Sequence, residues 1–311
     1  MNLSDIWSSL EAIARQEHVI RLGASHLDDA HAALFGQWLD AGHHASMHYL
    51  ARSREARQNP AARFPWAKSA VVILVPYEAA RPDAAPGALT NHIARYAFGD
   101  DYHDVLDRIL RKFEDALRPH ARTWRYVDTG PLSDRALAAQ AGLGWIAKNA
   151  MLINEQVGSW TFIGTLLTSL ENDLAPAAVA DRCGTCTRCL DACPTQAILP
   201  NRTVASEACI SYATIEHRGP LPPVPTLANY AFGCDICQEV CPWNGEPATA
   251  HPAFAPRDDY RATPVTDLLR LTQADFSTLF RKSAIKRAKW EGMRRNAAAL
   301  TEGEGRGILN G

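Results

Sequence analysis

Residues 183–194 read Cys183-Gly-Thr-Cys186-Thr-Arg-Cys189-Leu-Asp-Ala-Cys193-Pro194, and a second, interrupted version ends in Cys234-Asp-Ile-Cys237-Gln-Glu-Val-Cys241-Pro242. In the spacing C-x2-C-x2-C-x3-C-P, three thiolates hold one 4Fe-4S cluster and the fourth crosses to another. In the second copy Cys209 stands upstream, where an insertion separates the first ligand from its fellows. Crossing the fourth ligands gives Cys183, Cys186, Cys189 and Cys241 as one set, and Cys193, Cys209, Cys234 and Cys237 as the other. Together they are all 8 cysteines of the chain. Structural zinc or a disulfide framework would also use C-x2-C pairs or an even cysteine count. Neither accounts for a proline after both fourth cysteines, and 311 residues is not the short, cysteine-dense secreted kind of chain. The chain reads as an electron carrier first.

With 47% hydrophobic residues over 311 positions, the chain can bury a sizeable core, divided between a larger and a smaller domain. No run approaches the roughly 18 apolar residues that would cross a bilayer. The first residues carry no basic-then-apolar signal and no twin arginine, so the expectation is a cytoplasmic protein without membrane association. A formal charge of -2 excludes a generally basic coat but leaves local basic patches open.

Hydrophobic periodicity predicts a helix over 3–16, a strand over Val19–Ala24 and one or two helices between Asp28 and Ala51. The strongest strand is Ala70–Pro76. A helix over His103–Leu117, a strand over Thr123–Val127, a helix over Ser133–Ala141 and strands at Met151–Ile153 and Trp160–Thr168 follow. The fold class expected is α+β: a mixed α/β domain over 1–174, a bacterial-ferredoxin-like unit for two clusters over 175–245, and a helical tail over 246–311. The linker should begin near Ala175. Four prolines between Glu216 and Thr226 demand a loop there.

A two-cluster module alone needs only about 55–80 residues, so the preceding domain must use the electrons. Its densest motif is Val127-Asp128-Thr129-Gly130-Pro131-Leu132-Ser133-Asp134-Arg135, running on to Asn149. Asp128 ends a strand, Gly130 and Pro131 make a turn, and Ser133 or Asp134 can cap the next helix. Gly142 and Gly144 are expected to let a bulky group approach the backbone. Desolvated against an apolar cofactor face, Asp128 would be protonated near neutral pH and act as a general acid. An ordinary turn aspartate would look the same in sequence.

The segments VDTGPLSDRALAAQAGLGWIAKN, GSW at 158–160, CGTCTRCLDACPTQAI, CISYATIE and YAFGCDICQEVCPWN together resemble the epoxyqueuosine reductase family, over about Arg57 to Asn244. That resemblance implies a cobalamin cofactor in the N-terminal domain beside the two 4Fe-4S clusters. It also implies reduction of the epoxide of epoxyqueuosine at the wobble position of tRNA, with the oxygen leaving as water. Asp128 would be the proton donor and a cofactor contact. Arg57 and Ala94 would contact the corrinoid, Leu152 and Ile163 would wall it, and Ser133, Ser211 and Asp235 would hydrogen-bond it. Capping, turn or sheet-core duty is the alternative for each of the last five. Lys148 would reach the corrinoid or a tRNA phosphate. Tyr102 and His103 are not assigned as cobalt ligands.

Between Arg281 and Arg295 lie seven basic residues against one acid, Glu291, with Trp290 among them. Lys286 and Arg287 in this patch would grip the tRNA backbone, and Arg135 would touch the substrate nucleotide; a solvated basic face is the plainer reading. An external electron donor is implied, and a monomer is expected. The rival functions are a corrinoid reductive dehalogenase, disfavoured by the missing export signal, and a ferredoxin-type subunit without catalysis, disfavoured by the large N-terminal domain. A zinc-bearing RNA-binding module is a third.

Overall fold

The computed structural model describes residues 1–27, 32–77, 80–174, 178–245 and 249–307, with side chains to 302. The expected helix onset at Asp28 and linker onset at Ala175 lie outside the described residues. The centre of the N-terminal part is a four-stranded sheet: β1 (Arg21–His26), β2 (Ser69–Pro76), β3 (Thr123–Tyr126) and β6 (Thr161–Thr168), in the order β1-β2-β6-β3. Every neighbouring pair is antiparallel. A short hairpin of β4 (Trp145–Ile146) and β5 (Leu152–Ile153) stands apart from it.

β2 is buried along its whole length, which is why its sequence is a continuous apolar run rather than an alternation. Val71, Ile73 and Val75 face one core, shared with α1 (Trp7–Gln16) and with Phe113 and Leu117 of a helix over Tyr102–Leu117. Ala70, Val72 and Leu74 face a second core with Leu132, Leu137, Leu143 and Leu167. Each fully buried Leu, Ile or Phe contributes roughly 1.5–3 kcal/mol. Between β1 and β2 run α2 (Ala32–Asp40), α3 (His48–Arg52), α4 (Arg54–Gln58) and α5 (Pro60–Arg63). The helix over Tyr102–Leu117 is α6, capped by the Asp101 carboxylate on the His103 N–H. The helix over Asp134–Gln140 is α7.

The cysteine-bearing segment adds α8 (Arg188–Asp191), α9 (Ile210–Ile215) and α10 (Ile236–Glu239). It is locked to the sheet domain by the GSW segment. Ser159 N–H donates to Asn244 Oδ1 at 2.7 Å, and Ser159 Oγ donates to Gln238 Oε1 at 2.9 Å. Gly158 has φ 63, and a Cβ there would overlap the Asn244 side chain and meet the Trp243 carbonyl at 2.7 Å. Only glycine tolerates both conditions. Gly158→Ala should therefore lower the unfolding free energy by about 1–3 kcal/mol, read as a drop in denaturant midpoint. An unchanged midpoint would mean that this seam is not rigid.

The C-terminal stretch holds α11 (Asp258–Ala262), α12 (Gln273–Leu279) and α13 (Lys289–Gly307). It is packed rather than trailing: Tyr260, Phe280, Ile285 and Met293 share a core with Leu89, Ile93, Phe98 and Phe232.

The glycines near α7 depart from expectation. Gly142, with φ 72, follows the helix end as a left-handed cap. A Cβ on Gly144 would overlap the Ile153 carbonyl, so that glycine serves the pairing of β4 with β5. The close approach at Gly144 is made by the protein's own backbone.

Candidate functional site

Past the end of β3, Asp128 adopts a left-handed backbone, φ 55. Thr129 N–H donates to the Val127 carbonyl at 2.5 Å, which closes a three-residue turn around it. Aspartate tolerates this region better than branched residues do, and such strain concentrates where a side chain must be aimed. Here it directs the carboxylate outward: the Asp128 side chain is 66% exposed. The following residues are pinned by Arg57 of α4, whose Nη1 donates to the Leu132 carbonyl at 2.6 Å and whose Nη2 donates to the Gly130 carbonyl at 3.0 Å. Arg57 Nε is bound to Ser53 Oγ at 3.0 Å. Arg57 thus holds the turn that carries Asp128.

Tyr102 Oη donates to Asp128 Oδ2 at 2.8 Å, and His103 Nε2 stands 3.7 Å from the same oxygen. The surrounding protein pushes the Asp128 carboxyl up, but the nearby His103, the hydrogen bond from Tyr102 and the charge of Arg135 outweigh it, so the carboxyl lies below its ordinary range. In this geometry the proton resides on His103. Desolvation opposes the charged imidazole, yet Asp101 and Asp128 raise it to about 9. The expectation of a protonated Asp128 thus holds only where a further apolar face excludes water from it.

Behind the turn, Thr165 Oγ1 donates to Asp134 Oδ1 at 2.8 Å, and burial raises the Asp134 carboxyl to about 6. Arg135 donates to the Ala150 carbonyl. Burial lowers its pKa, and the charges of Asp128 and Asp134 oppose that shift.

Two groups that the sequence did not single out, Tyr49 and Glu216, stand near Asp128 together with Arg287. Tyr49, in the first turn of α3, is 41% exposed and lies within electrostatic reach of Asp128, Glu216, Arg287 and Arg57. Arg287 donates to both oxygens of Glu216, at 2.7 and 2.8 Å, and sits 5.7 Å from the centre of the Tyr49 ring. Glu216 ends the CISYATIE segment, and Arg287 lies in a 3-10 turn over Ala284–Ala288. Asp128, Tyr49, Glu216 and Arg287 are brought together from four distant parts of the chain. Local spacing carries no signal for that.

The cysteines fall in two groups. Cys183, Cys186, Cys189 and Cys241 line one cavity, walled by Lys148, Ile153 and Trp243. Lys148 Nζ donates to the Gly184 and Cys186 carbonyls at 2.7 and 2.9 Å, so it fastens this cysteine loop. Cys193, Cys209, Cys234 and Cys237 interact electrostatically with one another. Burial pushes Cys234 up to about 12 and raises Cys209 and Cys237. Among the described residues, no three His, Cys, Asp or Glu side chains are arranged to hold a single metal ion. The first set surrounds a volume, which suits a cubane more than one zinc ion.

The remaining expected residues are dispersed around this frame. Asp235 is fully buried: its Oδ2 accepts the Arg95 backbone N–H at 2.8 Å, while its Oδ1 has no partner. Burial raises the Asp235 carboxyl to about 6. Ala94 N–H donates to the Phe232 carbonyl at 2.8 Å, and its methyl lies where a Cβ on Gly233 would fall. Ser133 is the N-cap residue of α7 but makes no side-chain capping bond. Ser211 acts to lower the Cys209 thiol against the larger effect of burial. Leu152 is buried in the second core, with Ile163 packed against it. In the basic patch, Arg295 is consumed by the carbonyls of Ala213, His217 and Gly219. Trp290 is anchored on the Leu271 carbonyl, and Lys286 is exposed.

A family model described as "Epoxyqueuosine reductase QueG, DUF1730" matches residues 57–129, and one described as "4Fe-4S double cluster binding domain" matches 182–244. An epoxyqueuosine reductase from Gloeobacter violaceus is 38% identical over 302 residues, covering 91% of this chain and 90% of that relative. The chain belongs to the epoxyqueuosine reductase family. As a member it is an oxidoreductase. The Synechocystis epoxyqueuosine reductase is 38% identical, over 88% of this chain and 96% of its own. A crystal structure of an epoxyqueuosine reductase with an epoxyqueuosine-modified tRNA-Tyr stem loop superposes with TM-score 0.86 at 32% identity, over 96% of this chain and 81% of that one. The Bacillus subtilis enzyme, solved with its catalytic Asp loop swung out of the active site, gives TM-score 0.85 at 30% identity, over 96% and 82%. Among the described residues no helix is long and apolar enough to cross a membrane.

Proposed function

We propose that this protein reduces epoxyqueuosine to queuosine at the wobble position of tRNA, with two 4Fe-4S clusters and cobalamin as its cofactors. Family membership supports the reaction. The observation that carries it to this chain is the exposed Asp128 carboxylate, fixed by Arg57, Tyr102 and His103 on the domain against which both cysteine sets are docked.

Removing the epoxide oxygen as water takes two electrons and two protons. When bound, the clusters and the corrinoid supply the electrons and the cobalt centre at which the carbon–oxygen bond breaks. The chain's own residues do the rest. Cys183, Cys186, Cys189 and Cys241 would hold the outer cluster, next to a surface concavity shared with Arg188 and Asp191 where an external electron donor can approach. Cys193, Cys209, Cys234 and Cys237 would hold the inner one, beside Asp235 and the buried Tyr77. The unpartnered Asp235 Oδ1 suits an amide N–H of a corrin side chain, since a buried acceptor left unmade is costly. Arg57, Ala94, Ser133, Leu152, Ile163 and Ser211 would complete the corrinoid surroundings, Ala94 through its backbone. Asp128 delivers a proton to the departing oxygen.

The tRNA would be gripped by Lys286 and Arg287, with Arg135 toward the substrate nucleotide and the open ring of Tyr49 as a stacking surface for a base. We further propose that the chain divides functionally into 1–174, 175–245 and 246–311, and that it works as a cytoplasmic monomer. Reconstitution with iron, sulfide and cobalamin, followed by mass analysis of the tRNA nucleoside, tests the reaction: loss of one oxygen supports it, and unchanged epoxyqueuosine refutes it. Lys286→Glu should weaken tRNA binding and flatten the dependence of log Kd on log salt by roughly one contact. An unchanged slope would return the patch to a solvated face.

A further inference from the structure

We propose that His103 and Asp128 form one proton-holding unit, in which His103 stores the proton that Asp128 delivers and renews it from solvent. The inference rests on the reading of Asp128 as proton donor and extends it to a residue that does not touch the substrate.

The geometry is that of a relay with fixed ends. Asp101 Oδ1 accepts from the His103 backbone N–H at 3.0 Å and binds His103 Nδ1 at 2.7 Å, which settles the ring's orientation and leaves Nε2 as the exchanging atom. Nε2 is 3.7 Å from Asp128 Oδ2. The Tyr102 ring stacks on the imidazole with centroids 4.1 Å apart and on Phe162 at 4.5 Å, while its hydroxyl holds the same Asp128 oxygen. Both contacts of Asp128 fall on Oδ2, the oxygen that takes the proton from His103. The His103 side chain is 34% exposed, which gives it access to water.

The other charged or titratable groups around the pair are Arg135, Asp134, Arg287, Tyr49 and Tyr96, which interact with Asp128, and Arg257, which acts on Asp101. Burial and the neighbouring carboxylates keep Tyr102 neutral, so it donates a hydrogen bond without giving up its proton.

Each turnover consumes two protons. At rest the shared proton sits on His103 and Asp128 is a carboxylate. His103 Nε2 passes it to Asp128 Oδ2, Asp128 gives it to the leaving oxygen, and the carboxylate and neutral imidazole that remain regain one proton from solvent at His103. No electron moves in this step. Because the pair holds one proton in common, its loss belongs to the pair. With His103 held charged to about 9, the proton stays available through neutral pH and disappears as pH rises through that value.

Single-turnover reduction by pre-reduced holoenzyme, followed against pH, tests this. The wild-type rate should stay level through neutral pH and fall near pH 9. In His103→Gln, Asp128 must hold the proton alone, so the fall should begin on the acid side of neutrality, in the carboxylate range, and cost about tenfold per pH unit above it. His103→Gln with a wild-type profile would overturn the relay. If Asp128→Asn also kept full rate, the reading of Asp128 itself would fall; an inactive Asp128→Asn beside an unmoved His103→Gln profile would sink the relay alone. A second readout needs no turnover: NMR titration of His103 in the purified protein should give a pKa near 9, lowered by roughly one unit or more in Asp128→Asn. An ordinary histidine titration indifferent to that substitution would also overturn the proposal.

Discussion

Asp128→Asn is expected to slow single-turnover epoxide reduction by at least about 100-fold, the scale of a lost general acid, while the protein folds and binds its cofactors. The choice of asparagine follows from the backbone. Asp128 sits at φ 55, a region that asparagine enters as readily as aspartate and alanine does not. Asparagine keeps an oxygen for the Tyr102 hydroxyl, so the three-residue turn and the Arg57 anchors at Gly130 and Leu132 should survive. What it lacks is a proton to give. Asp128→Ala would confound that loss with backbone strain. Reduction at the wild-type rate by Asp128→Asn, with corrinoid absorbance and melting temperature preserved, would show that another group protonates the oxygen. The nearest carboxyl to consider would then be Asp134, already raised to about 6 by burial but tied to Thr165.

The sheet was legible because β2 and β6 are apolar runs whose neighbours break the pattern with Gly, Pro or charge. Thr161–Thr168 and Ser69–Pro76 fall within one residue of the strands expected. Antiparallel order was not legible, since a strand buried on both faces reads the same in either direction. The cysteine spacing could be read because ligand geometry is local. The surroundings of Asp128 could not. Tyr49, Glu216 and Arg287 acquire their meaning only when α3, the end of α9 and the turn before α13 meet, and no periodicity encodes that meeting. Tyr102 and His103 were conspicuous in sequence, but nothing there tied them to a turn some 25 residues further on. Structural duty was also hidden within functional-looking motifs. Lys148 fastens a cysteine loop, and Gly158 serves the seam between the sheet and the cysteine-bearing segment.

The crossing of the fourth ligands makes a pattern of iron loss that single substitutions cannot show. Cys183→Ala should remove roughly half of the iron, because one of two clusters loses a ligand. If Cys241 belongs to the same cluster, adding Cys241→Ala should cost almost nothing further. Adding Cys193→Ala instead should remove nearly all of the iron. With uncrossed ligands the two double variants would exchange results, since Cys193 would then share a cluster with Cys183. The cavity lined by Cys183, Cys186, Cys189 and Cys241 favours the crossed outcome, as does the electrostatic proximity of Cys193 to Cys209 and Cys234. A fold-level reason points the same way. Pro194 and Pro242 each follow a fourth cysteine and end the short helical turns α8 and α10, which pack against each other, so each fourth thiol is carried toward the neighbouring set. Iron and sulfide measured on anaerobically prepared protein would decide it. Equal depletion in both double variants would mean that losing any one ligand unfolds the whole two-cluster unit, as happens when metal binding and folding are one transition. The denaturant midpoint of Cys183→Ala alone, compared with wild type, separates that collapse from the loss of a single cluster.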